Sequence, residues 1–466
     1  MDQAIQIALD NSPRALMAQL SFMSSYWTYR SYKADLLPSL NASSSIGNYN
    51  RSLVSVTDSS TGEISYVANN TLSNTLSLSV NQKIVATGGT VSLSSNLTRL
   101  DQFRFDRVTY SGSPVSIIYN QPIRGYNSMK WQKELAPRRY EIAKCTYLSA
   151  METIKSTTIT HFFNVLTAQN NHKKALTNYQ DTKYLYEIAV KRFDLGTITK
   201  TDLMQLELAM LNANQSINTT RVAEEIAIFN FKSYLGISAA NISEMDLIPP
   251  SIVPNVVLEY EKVLDYAYKN SSHRLDQELD LVVAQQGVAQ AKANRGVQID
   301  FKANLGYTQS GSTIAESYAA MRDKEVVGLT LSVPIYDWGT SRGDVKMAQA
   351  EEQLALTEIE QAEREFEQNI RIKVLQFNNQ EAQCNISLKA SDISAERYEI
   401  SKKRFENGTI TVLSLNSALE DKDDSQINYI NQLRSFWSAY YELQQISLYD
   451  FINDRDISAD FDALVE

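Results

Sequence analysis

Lys191-Arg192-Phe193-Asp194-Leu195-Gly196-Thr197-Ile198-Thr199 returns further along the chain as Lys403-Arg404-Phe405-Glu406-Asn407-Gly408-Thr409-Ile410-Thr411. Seven of the nine residues are identical, at an offset of 212. Pro122-Ile123 and Pro334-Ile335 repeat at the same offset, each closing an apolar-rich alternating run. Ala8-Leu9-Asp10-Asn11-Ser12 resembles Ala267-Tyr268-Lys269-Asn270-Ser271, here at an offset of 259. The chain is a duplication, and the 47-residue difference between the offsets is an insertion in the first copy, between its opening helix and Pro122.

Each copy reads as helix, strands, long helix, glycine turn, helix. In the first, residues 2–34 read as a helix ending before Leu37-Pro38, and residues 39–50, 72–84, 89–99 and 113–122 as strands. Ala86-Thr87-Gly88-Gly89 is a hairpin turn signal. Residues 127–195 and 200–237 follow as helices. The second copy reads as helix 256–295, strands 298–309 and 326–335, and helices 341–407 and 412–449. The expected organisation is a first repeat over 1–240, a linker over 241–255 carrying Pro249, Pro250 and Pro254, a second repeat over 256–449, and a loosely held acidic tail over 450–466. The 47 extra residues fit one additional pair of strands. The fold class is mixed, mostly α with β.

Composition removes several functions. Of 466 residues, 44 are Lys or Arg and 54 Asp or Glu, a net charge of −10 without a basic stripe, which argues against nucleic acid. Two cysteines exclude a disulfide framework and a multi-cysteine zinc site. No run approaches 18 apolar residues, so no transmembrane helix is expected. The first residues lack a basic region followed by an apolar run, which leaves a cytoplasmic chain or a processed one. His161 and His172 are too far apart on a helix to share a metal, and His273 is expected to be exposed. Cys145 and Cys384 are expected as two free, buried thiols. The Glu-rich run over 358–367 reads as a solvated helix surface. No catalytic, cofactor or metal constellation is visible, so no enzymatic activity is expected.

The helix lengths and strand patterns carry the positive signal. A helix over 127–195 would extend roughly 100 Å, beyond any globular domain. Four such columns per chain suit a wall as well as a pair of coiled-coil hairpins. Leu76, Leu78 and Val80 share one strand face and Ser77 and Ser79 the other. Leu329, Leu331, Val333 and Ile335 oppose Thr330 and Ser332, and Ala303, Leu305 and Tyr307 alternate with Asn304 and Gly306. This is the pattern of a lipid-facing barrel with a watery lumen, although a soluble sandwich alternates too. Six strands are too few to close a membrane barrel, so several chains must share one. Three copies give 18 strands, or 12 if the inserted pair stays outside. Tyr26, Trp27, Tyr29 and Tyr32, with Trp131 and Trp338, sit where an interfacial aromatic belt would lie, although core packing accounts for them nearly as well.

The element order and the two Arg-Phe-x-x-Gly-Thr-Ile-Thr turns resemble the outer-membrane efflux protein (TolC-like) family over nearly the whole chain. So do Leu331 to Gly339 and the opening Ala4 to Pro13. The resemblance implies a homotrimer, with an α-helical barrel joined to a shared transmembrane β-barrel. It places the chain in the bacterial outer membrane with a large periplasmic portion, as an exit duct for efflux or type I secretion. Its partners would be outer-membrane lipid, a periplasmic adaptor (membrane fusion) protein, and an inner-membrane RND or ABC transporter. Arg192, Phe193, Gly196 and Thr197, with Arg404, Phe405, Gly408 and Thr409, would form the adaptor-docking tips. Without the family, a helix hairpin needing a glycine and a threonine cap explains the glycine and the threonine but not the Lys-Arg-Phe before both turns, which duplication alone accounts for without docking.

A duct must close at rest, in this family near the tips. Asp392, Glu396 and Glu399 share one helix face, and threefold symmetry would stack them into carboxylate rings that form a candidate gate. An ordinary solvated helix face is the competing reading. At the level of function, the alternatives are a structural trimeric stalk or adhesin without a lumen, and a soluble helical enzyme or lipid-binding protein.

Overall fold

The computed structural model describes residues 1–57, 60–237, 247–250 and 256–465. The first copy comprises α1 (Asp2–Asn11), α2 (Pro13–Asp35), β1 (Ser39–Thr57), β2 (Ile64–Ile84), β3 (Gly89–Gln102), β4 (Arg107–Arg124), α3 (Ser128–Asp194) and α4 (Lys200–Tyr234). The second comprises α5 (Tyr260–Asn270), α6 (His273–Arg295), β5 (Gln298–Gly311), the single turn α7 (Ile314–Ser317), β6 (Arg322–Ser332), α8 (Thr340–Glu406) and α9 (Val412–Ser447). The pair β7 (Tyr449–Asp450) and β8 (Arg455–Asp456) follows. The two long helices, α3 and α8, have 67 residues each and begin 212 positions apart, so the duplication holds throughout their length.

Several expectations need correction. Neither opening helix is continuous: the chain breaks at Ser12 and at Ser271, both in extended conformation. Pro13 crowds the residue before it out of the helical region, and the Ser12 hydroxyl then accepts the Ala15 N–H at 3.1 Å to restart the helix. β6 begins earlier than read, at Arg322, and ends at Ser332. Val333 and Ile335 therefore lie beyond the strand, since Pro334 has no N–H to continue a ladder. β1 and β2 reach Thr57 and Ile64, because Asn, Arg and Ser residues that blur a period-two pattern still pair in register. The tail is folded: Phe461 packs 5.2 Å from Phe22, and Gln19 donates to the Leu464 carbonyl. Of the expected linker, residues 241–246 and 251–255, Pro254 among them, lie outside the described residues.

The chain divides into two compact units. One, Ser25–Tyr140 with Leu275–Ile359, holds an antiparallel sheet in the order β1-β2-β3-β4-β5-β6. β1 follows α2 as β5 follows α6, and β4 precedes α3 as β6 precedes α8. The inserted pair is therefore β2–β3, seated within the sheet between β1 and β4. The turn between them places Gly88 at φ +78°, as the Gly-Gly signal predicts.

The other unit, Met1–Ser24 with Glu141–Arg274 and Glu360–Glu466, is helical. Its main core joins Ile159, Phe162 and Phe163 of α3 to Phe231 of α4, Phe377 of α8, and Phe436 and Tyr440 of α9. A second, smaller core joins Leu185, Ala189, Leu206, Tyr398, Phe405, Val412, Leu415 and Ala418 around the two glycine turns.

Candidate functional site

The two tips are built bond for bond alike. Gly196 N–H donates to the Phe193 carbonyl at 2.8 Å and Thr197 N–H to the Arg192 carbonyl at 2.9 Å. Gly408 and Thr409 make the same bonds, at the same lengths, to Phe405 and Arg404. This paired closure needs a left-handed residue, and Gly196 and Gly408 take φ +74° and +75°. Thr199 then caps α4 reciprocally with Asp202. Thr411 caps α9 through Ser414 N–H, with no carboxylate to complete the box.

The side chains of the two tips diverge. Phe193 is exposed, but Phe405 is 3% exposed, inside the tip core. Arg192 reaches across to the other turn, donating to the Phe405 carbonyl at 3.2 Å with its guanidinium over the Phe405 ring. Gly196, Thr197, Arg404, Gly408 and Thr409 are exposed.

Behind the tips, polar residues that sequence reasoning missed tie the two hairpins together. The buried Tyr398 hydroxyl donates to Asp181 Oδ2 at 2.9 Å, and Lys402 Nζ donates to Asp181 Oδ1 at 2.6 Å. Burial, with Asp181 facing it, pushes the Tyr398 hydroxyl far above the ordinary tyrosine pKa, so it stays a donor. Burial works against the Lys402 charge, but the hydrogen bond and charge of Asp181 outweigh it and raise the ammonium's pKa. In the reverse direction, Asp423 of α9 accepts from Asn178 at 3.0 Å and pairs with Lys174 at 3.3 Å, both on α3. Each hairpin thus offers one carboxylate to donors of the other.

A signal for this clamp exists in the repeat. At the offset of 212, Asp181 corresponds to Ile393, Lys174 to Ile386, Lys402 to Val190 and Asp423 to Leu211. At these four positions the duplication exchanges charge for hydrocarbon, as it also does at Lys183 and Ala395 and at Leu185 and Arg397. The predicted acidic stripe takes no part in these hydrogen bonds: Asp392, Glu396 and Glu399 are all exposed. Ile386, Ile393 and Ile400 form a further exposed stripe at seven-residue spacing.

In the sheet unit the two faces are chemically opposite. One row of Cα partners runs Leu40, Val80, Leu93, Ile117, Leu305; another pairs Phe301 with Leu329. On the other face Ser43 pairs with Ser77 and Ser77 with Asn96, while Ser116 donates to Asn304 at 2.5 Å. The exposed apolar side, including Leu76, Leu78, Leu93, Val327 and Leu329, cannot be a water-facing surface of this extent without a partner. Among the described residues β1 and β6 have no strand partner on their outer sides, leaving bare edges of 19 and 11 residues. No described helix is long and apolar enough to cross a membrane.

Among the described residues no three His, Cys, Asp or Glu groups gather to hold a metal. His161 stacks on Tyr234, His172 meets the Thr220 hydroxyl at 3.3 Å, and His273, expected exposed, instead stacks on Phe366 at 3.9 Å. Cys384 is a buried thiol as expected, whereas Cys145 is only half-buried and its thiol donates to the Asn270 carbonyl at 3.4 Å. Of the belt candidates, Tyr29 stacks on Tyr140, while Trp27 and Trp338 are exposed.

Residues 264–447 match the family model described as outer membrane efflux protein. Outer membrane protein TolC of Escherichia coli (strain K12) is 24% identical over 333 residues, which span 66% of this chain and 66% of that protein. The Campylobacter jejuni CmeC outer membrane channel superposes with a TM-score of 0.68 at 15% identity, covering 99% of this chain and 87% of that one. The outer membrane protein VceC of Vibrio cholerae superposes with a TM-score of 0.65 at 16% identity, covering 97% and 95%. The matched family region runs from α5 to the end of α9 and so takes in one glycine turn and the strands β5 and β6, while the superpositions cover 97–99% of the chain; residues 264–447 are thus similar to the outer membrane efflux protein family, and the chain as a whole has the TolC-like fold of these channels.

Proposed function

We propose that three copies of this chain form an exit duct through the outer membrane, conducting substrates passively within a tripartite efflux or type I secretion system. The observation that carries this is the open six-stranded sheet, apolar on one face and lined with Ser, Thr and Asn on the other. Such a sheet has too few strands to enclose a lumen, and its edges need partners. Joining β6 of one copy to β1 of the next three times closes a barrel of 18 strands. Because β2–β3 lies between β1 and β4, it belongs to that wall, and the 12-strand alternative would require breaking the sheet. The exposed isoleucine stripe of α8, and exposed Met204, Leu208 and Leu211 on α4, supply apolar surface for packing neighbouring copies.

The exposed tip residues Phe193, Gly196, Thr197, Arg404, Gly408 and Thr409 are the surface we assign to the periplasmic adaptor, which couples the duct to an inner-membrane RND or ABC transporter. Arg192 and the buried Phe405 shape that surface from within. The clamp at Asp181 holds the hairpins in the resting arrangement, and the Asp392, Glu396 and Glu399 stripe forms acidic rings at the entrance. Imaging of detergent-extracted particles tests the assembly: a threefold tube with an open axis is expected, and a compact monomer or a solid stalk would remove the duct. Changing all three stripe residues to Ala should weaken block by multivalent cations in planar bilayers. Unchanged block would return the stripe to an ordinary solvated helix face.

A further inference from the structure

We propose that the helix-side end of the sheet is a collar that binds the phosphate headgroups of anionic phospholipids in the leaflet facing the helices. This rests on the membrane reading above and adds a ligand to it. The register brings Ser39, Ile84, Gly89, Arg124, Gln298 and Ser332 to one end of the sheet, the end at which α2 and α6 arrive and α3 and α8 depart. The segments at that end, residues 28–37, 82–90, 121–134, 292–300 and 333–346, hold ten Lys or Arg against five Asp or Glu, in a chain whose net charge is −10. Two of the five acids are already engaged. Asp35 bonds Lys83, and Asp337 accepts Gly339 and Ser341 N–H groups at the start of α8. The opposite end has no such excess: residues 46–70, 99–107 and 308–325 hold six cations and seven acids.

The cations are placed to reach a bilayer surface. Lys130, Lys133, Arg342 and Lys346 are exposed, and among the described residues no carboxylate pairs with them. They border the apolar face, whose lower rows end in Leu329, Leu331 and Phe301. Between the two lie Ile335 and Trp338, 93% and 87% exposed, with Tyr336 edge-on to Trp338. Lys33 extends over the Tyr29 ring at 4.5 Å. Amphipathic rings at the rim of an apolar band, backed by free ammonium and guanidinium groups, match the boundary between acyl chains and phosphates.

The test is to reconstitute the assembled full chain into phosphatidylethanolamine vesicles in which phosphatidylglycerol is the minor lipid. The protein is then re-extracted, and the lipids it retains are measured by mass spectrometry. Severalfold enrichment of phosphatidylglycerol over the bulk ratio is expected at low salt, falling as ionic strength rises. Lys33→Gln/Lys130→Gln/Lys133→Gln/Arg342→Gln should return the ratio to bulk, while Arg51→Gln/Arg104→Gln at the other end should leave the enrichment intact. If the quadruple variant does not assemble, Lys130→Gln/Lys133→Gln carries the test with a partial loss. Insertion without enrichment, or enrichment untouched by the collar variants, overturns the collar alone. Displacement by inorganic phosphate beyond that by chloride of equal ionic strength would identify a free-anion site and also overturn it. Failure to insert at all overturns the membrane reading, and the collar with it.

Discussion

Removing the Tyr398 hydroxyl should open the resting duct. Tyr398 is 1% exposed, and its bond to Asp181 Oδ2 at 2.9 Å is made to a charged acceptor in a half-buried setting. Hydrogen bonds to charged groups contribute about 1.5–3 kcal/mol. In a threefold assembly opening in concert, the lower figure gives about 4.5 kcal/mol, on the order of a thousandfold in the closed-to-open ratio. Tyr398→Phe should therefore raise basal conductance of single assemblies in planar bilayers. Lys402→Ala, which removes the second donor to Asp181, should do so to a lesser degree because its ammonium is partly exposed. Arg397→Ala is the internal control: its bond to Asp421 joins α8 to α9 within the second hairpin, both groups are about half exposed, and such pairs contribute about 0–1 kcal/mol. Basal conductance unchanged in Tyr398→Phe, with only a lowered melting temperature, would show that the bond supports folding in open and closed states equally and would refute the clamp.

Three further outcomes follow from particular residues. Leu78→Arg, on the apolar face, should block insertion into vesicles, at about 2–4 kcal/mol near the bilayer midplane, whereas Ser77→Arg on the opposite face should insert and alter ion selectivity; equal behaviour would contradict the assignment of faces. Gly408→Ala should lower thermal stability more than Gly196→Ala, since both require positive φ but only at Gly408 would the added carbon meet Arg192, at 3.0 Å from Nη2. Glu152 is fully buried, with one oxygen 2.6 Å from Lys155 and the other without a hydrogen-bond partner among the described residues, and burial raises its pKa above the ordinary value. The unfolded chain therefore releases this proton first as pH rises, and stability is lost from the ordinary glutamate pKa upward through the raised one. Glu152→Gln should stabilise by about 1 kcal/mol at neutral pH, measured against wild type by denaturant unfolding, and the gain should vanish below the ordinary glutamate pKa.

Much of the architecture was readable in one dimension because it is local or repeated. Gly196 and Gly408 marked the turns, since only a left-handed residue closes a helix that way, and the shared offset of 212 matched α3 to α8 residue for residue. Period-two alternation at Leu76–Val80 identified a two-faced sheet before any partner strand was known. By contrast, Phe193 and Phe405 look interchangeable in the repeat, yet one is exposed and the other is core, because burial depends on which neighbours the second hairpin brings. The clamp was hidden for the same reason. Asp181 lies more than two hundred positions from both Tyr398 and Lys402 along the chain, and only the packing of α3 against α8 sets them within hydrogen-bond distance. The place of the inserted strands was likewise a matter of pairing. A 47-residue surplus tells that a hairpin exists, but its location between β1 and β4 is decided by backbone hydrogen bonds that reach across the sheet, where sequence distance carries no information.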